Sequence, residues 1–179
     1  GPFLATYPLA ALPDGLLIRG DSDNNQITFD YTNGAPIPSN VGVILGGGLG
    51  ADSIRLMAGT VDSVVDTFAT ADQGKITITQ GLNSRDINYI QFETPITDSL
   101  TTNSRTFNFS DVNDDITLND NGITGDGIST IGSTLVGTPA TRTSLGATFT
   151  SGGVTPAVTI NADDTVAGVG GNDILRFLG

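Results

Sequence analysis

Eighteen aspartates and a single glutamate, Glu93, carry nearly all the side-chain chemistry available in this chain. The most sharply patterned of them sits in Gly47-Gly48-Leu49-Gly50-Ala51-Asp52-Ser53-Ile54-Arg55, which fits the nonapeptide G-G-x-G-x-D-x-U-x at every defined position. Glycines in such a turn let the backbone bend until its carbonyls and the Asp52 carboxylate converge on a hard cation such as calcium. Gly168 to Leu175 is a weaker copy carrying Asp173, with Val169 where the second glycine belongs. Two further clusters, Asp21-x-Asp23-x-Asn25 and Asp111-x-Asn113-x-Asp115, space oxygen ligands at i, i+2 and i+4. Gln26 and Ile116 stand at their sixth positions, and Thr32 and Gly122 at their twelfth, so neither is an EF-hand. The candidate metal ligands are therefore Asp21, Asp23, Asn25, Asp52, Asp111, Asn113, Asp115 and Asp173, with calcium the expected cofactor. The competing reading for each is a solvated turn whose Asx side chains bond their own backbone.

The rest of the composition excludes more than it suggests. With no His and no Cys there is no Ser-His-Asp or Cys-His pair, no ordinary zinc site and no disulfide. A net charge of −12 argues against a phosphate-backbone partner, which calls for clustered Lys and Arg. Paired carboxylates could hydrolyse a glycoside. A sugar cleft, however, calls for aromatic platforms, and the chain has no Trp and only Tyr7, Tyr31 and Tyr89. The pairs Thr77/Thr79 and Thr148/Thr150 are too few for an ice-binding array. The expectation is a protein without enzymatic activity.

These residues need strands and turns to hold them. Glu favours helix while Asp favours turns and caps, so an acidity carried almost wholly by Asp points to an all-β chain. Short alternating runs predict strands at 16–19, 26–31, 41–45, 53–57, 64–69, 75–79, 87–92, 105–109, 115–118, 128–131, 147–150, 158–160 and 174–177. Met57, Val61, Val64, Val65 and Phe68 also follow a helical period, with Thr60 as a candidate N-cap; their Val/Thr richness favours strand. Strand starts every 10–13 residues suit a short-stranded β-solenoid or β-helix, the favoured fold, with an antiparallel β-sandwich as the alternative. Four segments, IRGDSDNNQITF, ILGGGLGADSIRLM, FSDVNDDITL and AGVGGNDILRF, share one grammar of strand, Gly/Asp/Asn turn and strand.

Residues 15–179 read as one domain. Residues 1–14 stand apart: Phe3 to Leu12 carries no charge, and Pro2, Pro8 and Pro13 impose an extended backbone. Such a segment either covers its own core or inserts as a strand into a neighbouring subunit. Phe3, Leu4, Ala5, Tyr7, Leu9 and Leu12 are the candidate assembly residues. No run approaches the ~20 apolar residues of a membrane helix, so membrane insertion is not expected. Gly1-Pro2 lacks a basic leader region and reads as a processed N-terminus or a protease scar.

One stretch resembles a known group. Asp66-Thr67-Phe68, then Gly74-Lys75-Ile76-Thr77-Ile78, then Ile87 to Glu93 resemble repeats of very large secreted bacterial surface proteins of the adhesin-like type found in planctomycetes and cyanobacteria. Thr106 to Thr130 is similar to a second recurrent unit of those proteins, and the glycine/aspartate turns resemble those of repeats-in-toxin β-rolls. The two turn copies here lie 173 − 52 = 121 residues apart, too far to build a roll by themselves. The pattern departs at Thr94-Pro95, where the family strand would continue. The resemblance implies an extracellular or cell-surface β-solenoid with a structural or adhesive role, and supplies no catalytic residue. The reading that follows is a polymerising structural subunit joined to copies of itself through the N-terminal strand. A calcium-dependent adhesin with a glycan or cell-surface contact is the alternative, and a polysaccharide-active enzyme the remote one.

Overall fold

The computed structural model describes residues 15–39, 41–110, 112–123, 125–150, 152, 156–162 and 172–179. Among these the chain is all-β, fifteen strands in two mixed sheets. In chain order they are β1 (Leu16–Arg19), β2 (Gln26–Asp30), β3 (Val43–Gly46), β4 (Ser53–Met57), β5 (Thr60–Phe68), β6 (Gly74–Gln80), β7 (Asn83–Ile90) and β8 (Ile96–Asp98). Then follow β9 (Thr101–Asn108), β10 (Asp114–Asp120), β11 (Ile128–Leu135), β12 (Thr138–Arg142), β13 (Ala147–Thr150), β14 (Ala157–Asn161) and β15 (Ile174–Leu178).

The first sheet runs β1-β3-β7-β6-β5-β9-β14, and β6 is the only strand reversed against the others. The second runs β15-β10-β11-β13-β8-β4-β2, with β11 reversed and β12 paired to β11 off the main path. Both sheets are thus dominated by parallel neighbours, so successive passes of the chain lie on one another. The first two passes are in strict register. Leu16 faces Val43 and Gln26 faces Ser53, both 27 positions on (43 − 16 and 53 − 26). The whole unit β1–turn–β2 therefore stacks on β3–turn–β4.

Alternation decides what is buried. Val43 and Leu45 on β3, Ile54 and Leu56 on β4, and Ile76 and Ile78 on β6 point inward and are fully buried. Phe107 of β9 lies 5.0 Å from Phe149 of β13 and stacks on Phe68 of β5 at 6.4 Å, tying the two sheets into one core. The helical period from Met57 to Phe68 gives way to strand: Thr60 opens β5, and Ala58, at a φ of 56°, makes the bend between β4 and β5. Two strands have no counterpart in the sequence-based set, β8 and β12. β8 is three residues behind a proline, and β12 carries Thr, Pro and Arg with every residue exposed, so neither shows an apolar alternation.

Candidate functional site

The nonapeptide glycines serve a close approach between stacked turns. Gly20 N donates to Gly46 O, and Gly47 N to Ile90 O, which carries the ladder out of the strands and into the turns. A Cβ on Gly47 would lie 1.8 Å from Gln91 O and 2.6 Å from Asp52 Oδ2, and one on Gly20 would lie 2.0 Å from Gly47 O. Only glycine fits either place.

Asp52 closes this turn from inside. Fully buried, it accepts the Asn25 N–H on Oδ1 at 2.7 Å. In return Asn24 Oδ1 accepts the Ala51 N–H at 2.8 Å. The two turns thus hold each other through one side-chain acceptor apiece. The next pass extends the series, because Glu93 Oε2 accepts the Asp52 N–H at 3.1 Å. Asp21, Asp23 and Asn25 form the top of the stack. Asp21 Oδ1 accepts the Asp23 N–H at 2.9 Å and Asn25 Nδ2–H at 3.3 Å, and these bonds hold its carboxyl below the usual carboxylate range. This local Asx turn already occupies part of the oxygen row that spacing alone assigned to a cation.

The same device recurs at the far side of the fold. Asp173 Oδ1 accepts the Asp114 N–H at 2.8 Å, and Asn113 Oδ1 accepts the Asn172 N–H at 2.9 Å. The pair Asn113-Asp114 therefore meets Asn172-Asp173 as Asn24-Asn25 meets Ala51-Asp52. Asp115 points elsewhere and binds Arg176 with both oxygens, at 2.5 and 2.8 Å, which lowers its pKa and raises that of Arg176. The structure thus draws Asp21, Asn25 and Asp52 into one stack and Asn113 and Asp173 into another. Asp111 lies outside the described residues, as do Phe3, Leu4, Ala5, Tyr7, Leu9 and Leu12. Among the described residues no group of three or more acidic side chains is arranged to hold a metal ion. In these turns the carboxylate oxygens Asp52 Oδ2 and Asp114 Oδ2 are nonetheless buried without a hydrogen-bond partner among the described residues.

A polar cluster also lies inside the core. Arg105 of β9 pairs with Asp98 of β8, donates to Leu100 O at 2.7 Å, and sits 5.5 Å from the Phe149 ring. Burial pushes the Asp98 carboxyl up and Arg105 pulls it back. Asp66, on β5, is buried with Oδ1 unpartnered, and desolvation followed by repulsion from Asp98 raises its pKa to about 8. Desolvation likewise raises Tyr31 to about 12 and pushes Tyr89 up. Asp66, Asp98 and Arg105 are all buried, and Arg105 and Phe107 both lie against the Phe149 ring. The Asp98–Arg105 pair links β8 of one sheet to β9 of the other.

The most exposed apolar surface in a strand lies at one end of the stack. Leu175 and Phe177 of β15 stand beside Ile116 and Leu118 on the inward face, yet are 45% and 69% exposed. Val158, beside the buried Arg105 on the inward face of β14, is 41% exposed. Here the core ends without a cover among the described residues.

No family model, curated protein or solved structure matches the chain. Among the described residues no helix is long and apolar enough to cross a membrane. Sequence reasoning missed Asn24, Glu93, Asp114, Asn172 and the Asp66–Asp98–Arg105 cluster. Asn24, Asp114 and Asn172 had a signal, an Asx pair at the entry to a strand, at Asn24-Asn25, Asn113-Asp114 and Asn172-Asp173, whereas Glu93 had none. The buried cluster had none, because its residues come from three strands whose neighbourhood is set only by the sheet order.

Proposed function

We propose that this chain is an extracellular structural protein, a β-solenoid subunit of a self-assembling surface filament or layer joined through its apolar segment Phe3 to Leu12. The observation that carries the reading is the exposed apolar side of β14 and β15, where inward-facing Val158, Leu175 and Phe177 meet solvent on strands that stand at the sheet edges among the described residues. Exposed edges of this kind normally carry charge or a cover, because they template pairing with another chain. The parallel stacking of β1, β3 and β7, and of β2, β4, β8 and β13, supports a solenoid, since each pass rests on the last. Removing residues 1–13 and following assembly by light scattering tests the joint. The truncated protein should stay monomeric, and unchanged polymer would contradict the reading.

A second reading, a calcium-dependent adhesin module, is favoured by one observation, the buried and unpartnered Asp52 Oδ2 beside Gln91 O in the glycine turn. A cation there would take up the remaining lone pairs of that carboxylate and stabilise the turn stack. Glycan contact and a cell-surface location belong to both readings and rest on the resemblance to secreted surface proteins.

A further inference from the structure

We propose that Arg105 is a two-position latch between the sheets. With Asp66 neutral it grips the second sheet through Asp98; when Asp66 loses its proton, Arg105 turns to it within the first sheet and the grip is released. The device lies wholly in the core and does not depend on how copies of the chain assemble.

In the position observed, the donors of Arg105 reach across the gap. From β9 of the first sheet it donates Nε–H to Thr150 O of β13 at 3.3 Å and Nη1–H to Asp98 of β8, both in the second sheet. Nη2–H goes to Leu100 O, in the link between β8 and β9, at 2.7 Å. These bonds use three of the five N–H donors of a guanidinium. Asp98 has a second donor, because its Oδ1 accepts the Leu100 N–H at 2.8 Å. One positive charge thus joins β8, β9 and β13.

A second carboxyl stands within reach of that charge. β5 pairs with β9 in parallel, with Val64 opposite Arg105 and Asp66 opposite Phe107. Asp66 is therefore the diagonal neighbour of Arg105 on the inward face, at a backbone separation of roughly 7–8 Å that a long side chain can span. It is buried, and its Oδ1 has no hydrogen-bond partner among the described residues. The charged and titratable groups that face it are Arg105 from β9, Asp98 from β8 and Tyr89 from β7. Tyr31 stands in turn against Asp98, and Asp72 against Tyr89. β6 places Ile76 opposite Asp66, while its Lys75 pairs with Asp86 at 3.7 Å, half exposed. Asp62, on the same strand as Asp66, accepts the exposed Gly81 N–H.

Two buried carboxyls therefore share one guanidinium, and a buried carboxylate without a counter-charge is strongly disfavoured. Asp98 has both Arg105 and a backbone N–H. Asp66 has neither and keeps its proton, with burial first and the Asp98 charge second raising its pKa to about 8. Ionisation breaks only the carboxyl O–H bond and passes the proton to solvent base. It leaves Asp66 and Asp98 competing for Arg105. Asp98 retains the Leu100 N–H when the guanidinium leaves, whereas Asp66 has no other donor, so the balance shifts toward Asp66. The bonds given up to Asp98 and Thr150 are those that cross between the sheets.

NMR of the full chain from about pH 5 to about pH 10 tests this, following carboxyl 13C and guanidinium 15N signals. The Asp66 carboxyl should titrate near pH 8, and Arg105 Nε should shift with the same midpoint. Amide exchange in β8 and β13, corrected for its intrinsic pH dependence, should quicken roughly tenfold across that midpoint while β6 stays protected. Asp66→Asn keeps the shape and the neutral state, so both responses should vanish. Asp98→Asn should give Arg105 to Asp66 at neutral pH and return Asp66 to the ordinary carboxylate range. If Asp66 titrates while Arg105 Nε stays still, or if Asp66 is already ionised at pH 5, the latch is wrong. An Arg105 shift that persists in Asp66→Asn also overturns it. Should neither variant fold, the parent titration decides alone.

Discussion

The Asp52 carboxylate accepts the backbone N–H of Asn25 from the turn stacked directly on its own, at 2.7 Å and out of contact with solvent. Asp173 holds Asp114 in the same way at 2.8 Å. In both places an Asn of the partner turn, Asn24 or Asn113, returns the bond. Parallel strands need long connections, and turns between stacked passes leave backbone donors that the strand ladder does not reach. Asx residues immediately before the strands satisfy those donors across the stack. The aspartates of this acidic chain are thus partly structural parts of the turns they occupy.

Removing the inner half of this exchange should cost more than removing the outer half. Asp52→Ala leaves the Asn25 N–H without its acceptor in a buried site and should destabilise by about 1–3 kcal/mol. Asn24→Ala, at an exposed position, should cost ~1 kcal/mol or less. Urea denaturation of the two variants gives the comparison; equal losses would mean that burial of Asp52 is not what matters.

The Arg105–Asp98 pair is buried on both sides. Arg105→Ala should destabilise by about 3–5 kcal/mol, since it leaves the Asp98 carboxylate enclosed without its counter-charge. Replacing both partners together, Arg105→Met with Asp98→Asn, should recover much of the loss. A double variant no better than the single one would show that Arg105 acts through its packing on Phe149.

Acid should stabilise the fold down to the ordinary carboxylate range. Asp66 has a pKa of about 8 in the folded protein against 3.8 for the free side chain. Between those values the folded state holds a proton that the unfolded state has lost, so stability falls as pH rises through this window. Burial raises Asp114 and adds the same sign, whereas Asp21, Asp30 and Asp115 are lowered and lose stability only in strong acid. Melting temperature should therefore be higher at pH 5 than at pH 8. Asp66→Asn should flatten this slope and melt several degrees above the parent at pH 8. A parent whose melting temperature is the same at both pH values would contradict the assignment.

Calcium binding at the Asp52 turn makes a separate prediction. A ligand that binds only the folded state stabilises it by mass action, so a chelator should lower the melting temperature and added calcium restore it. Asp52→Asn should lose that response. A melting temperature unmoved by chelator would remove calcium from the account.

Much of the strand pattern could be read directly from the chain. The runs 16–19, 53–57 and 147–150 coincide with β1, β4 and β13, since apolar alternation and flanking Gly, Asp and Asn mark their ends. The kinship of IRGDSDNNQITF and ILGGGLGADSIRLM became a 27-residue register only once the strands were paired. Which strands neighbour one another was hidden, because β6 and β11 reverse direction through hairpins whose turns look like any other. The glycine-aspartate turn was visible, but its use was not. Spacing that suits a cation also suits a carboxylate turned onto the next backbone N–H, and only the stacked partner distinguishes them. Phe177 gave no sequence signal either, because an apolar strand at the end of a sheet has the same alternation as one in its centre.

The central claim, that this is a self-assembling structural subunit, is tested most directly by electron microscopy of the purified full chain at rising concentration. The account predicts filaments or sheets with a repeat near the length of one stack, absent from the chain lacking residues 1–13. Isolated monomers at every concentration, in both proteins, would contradict it.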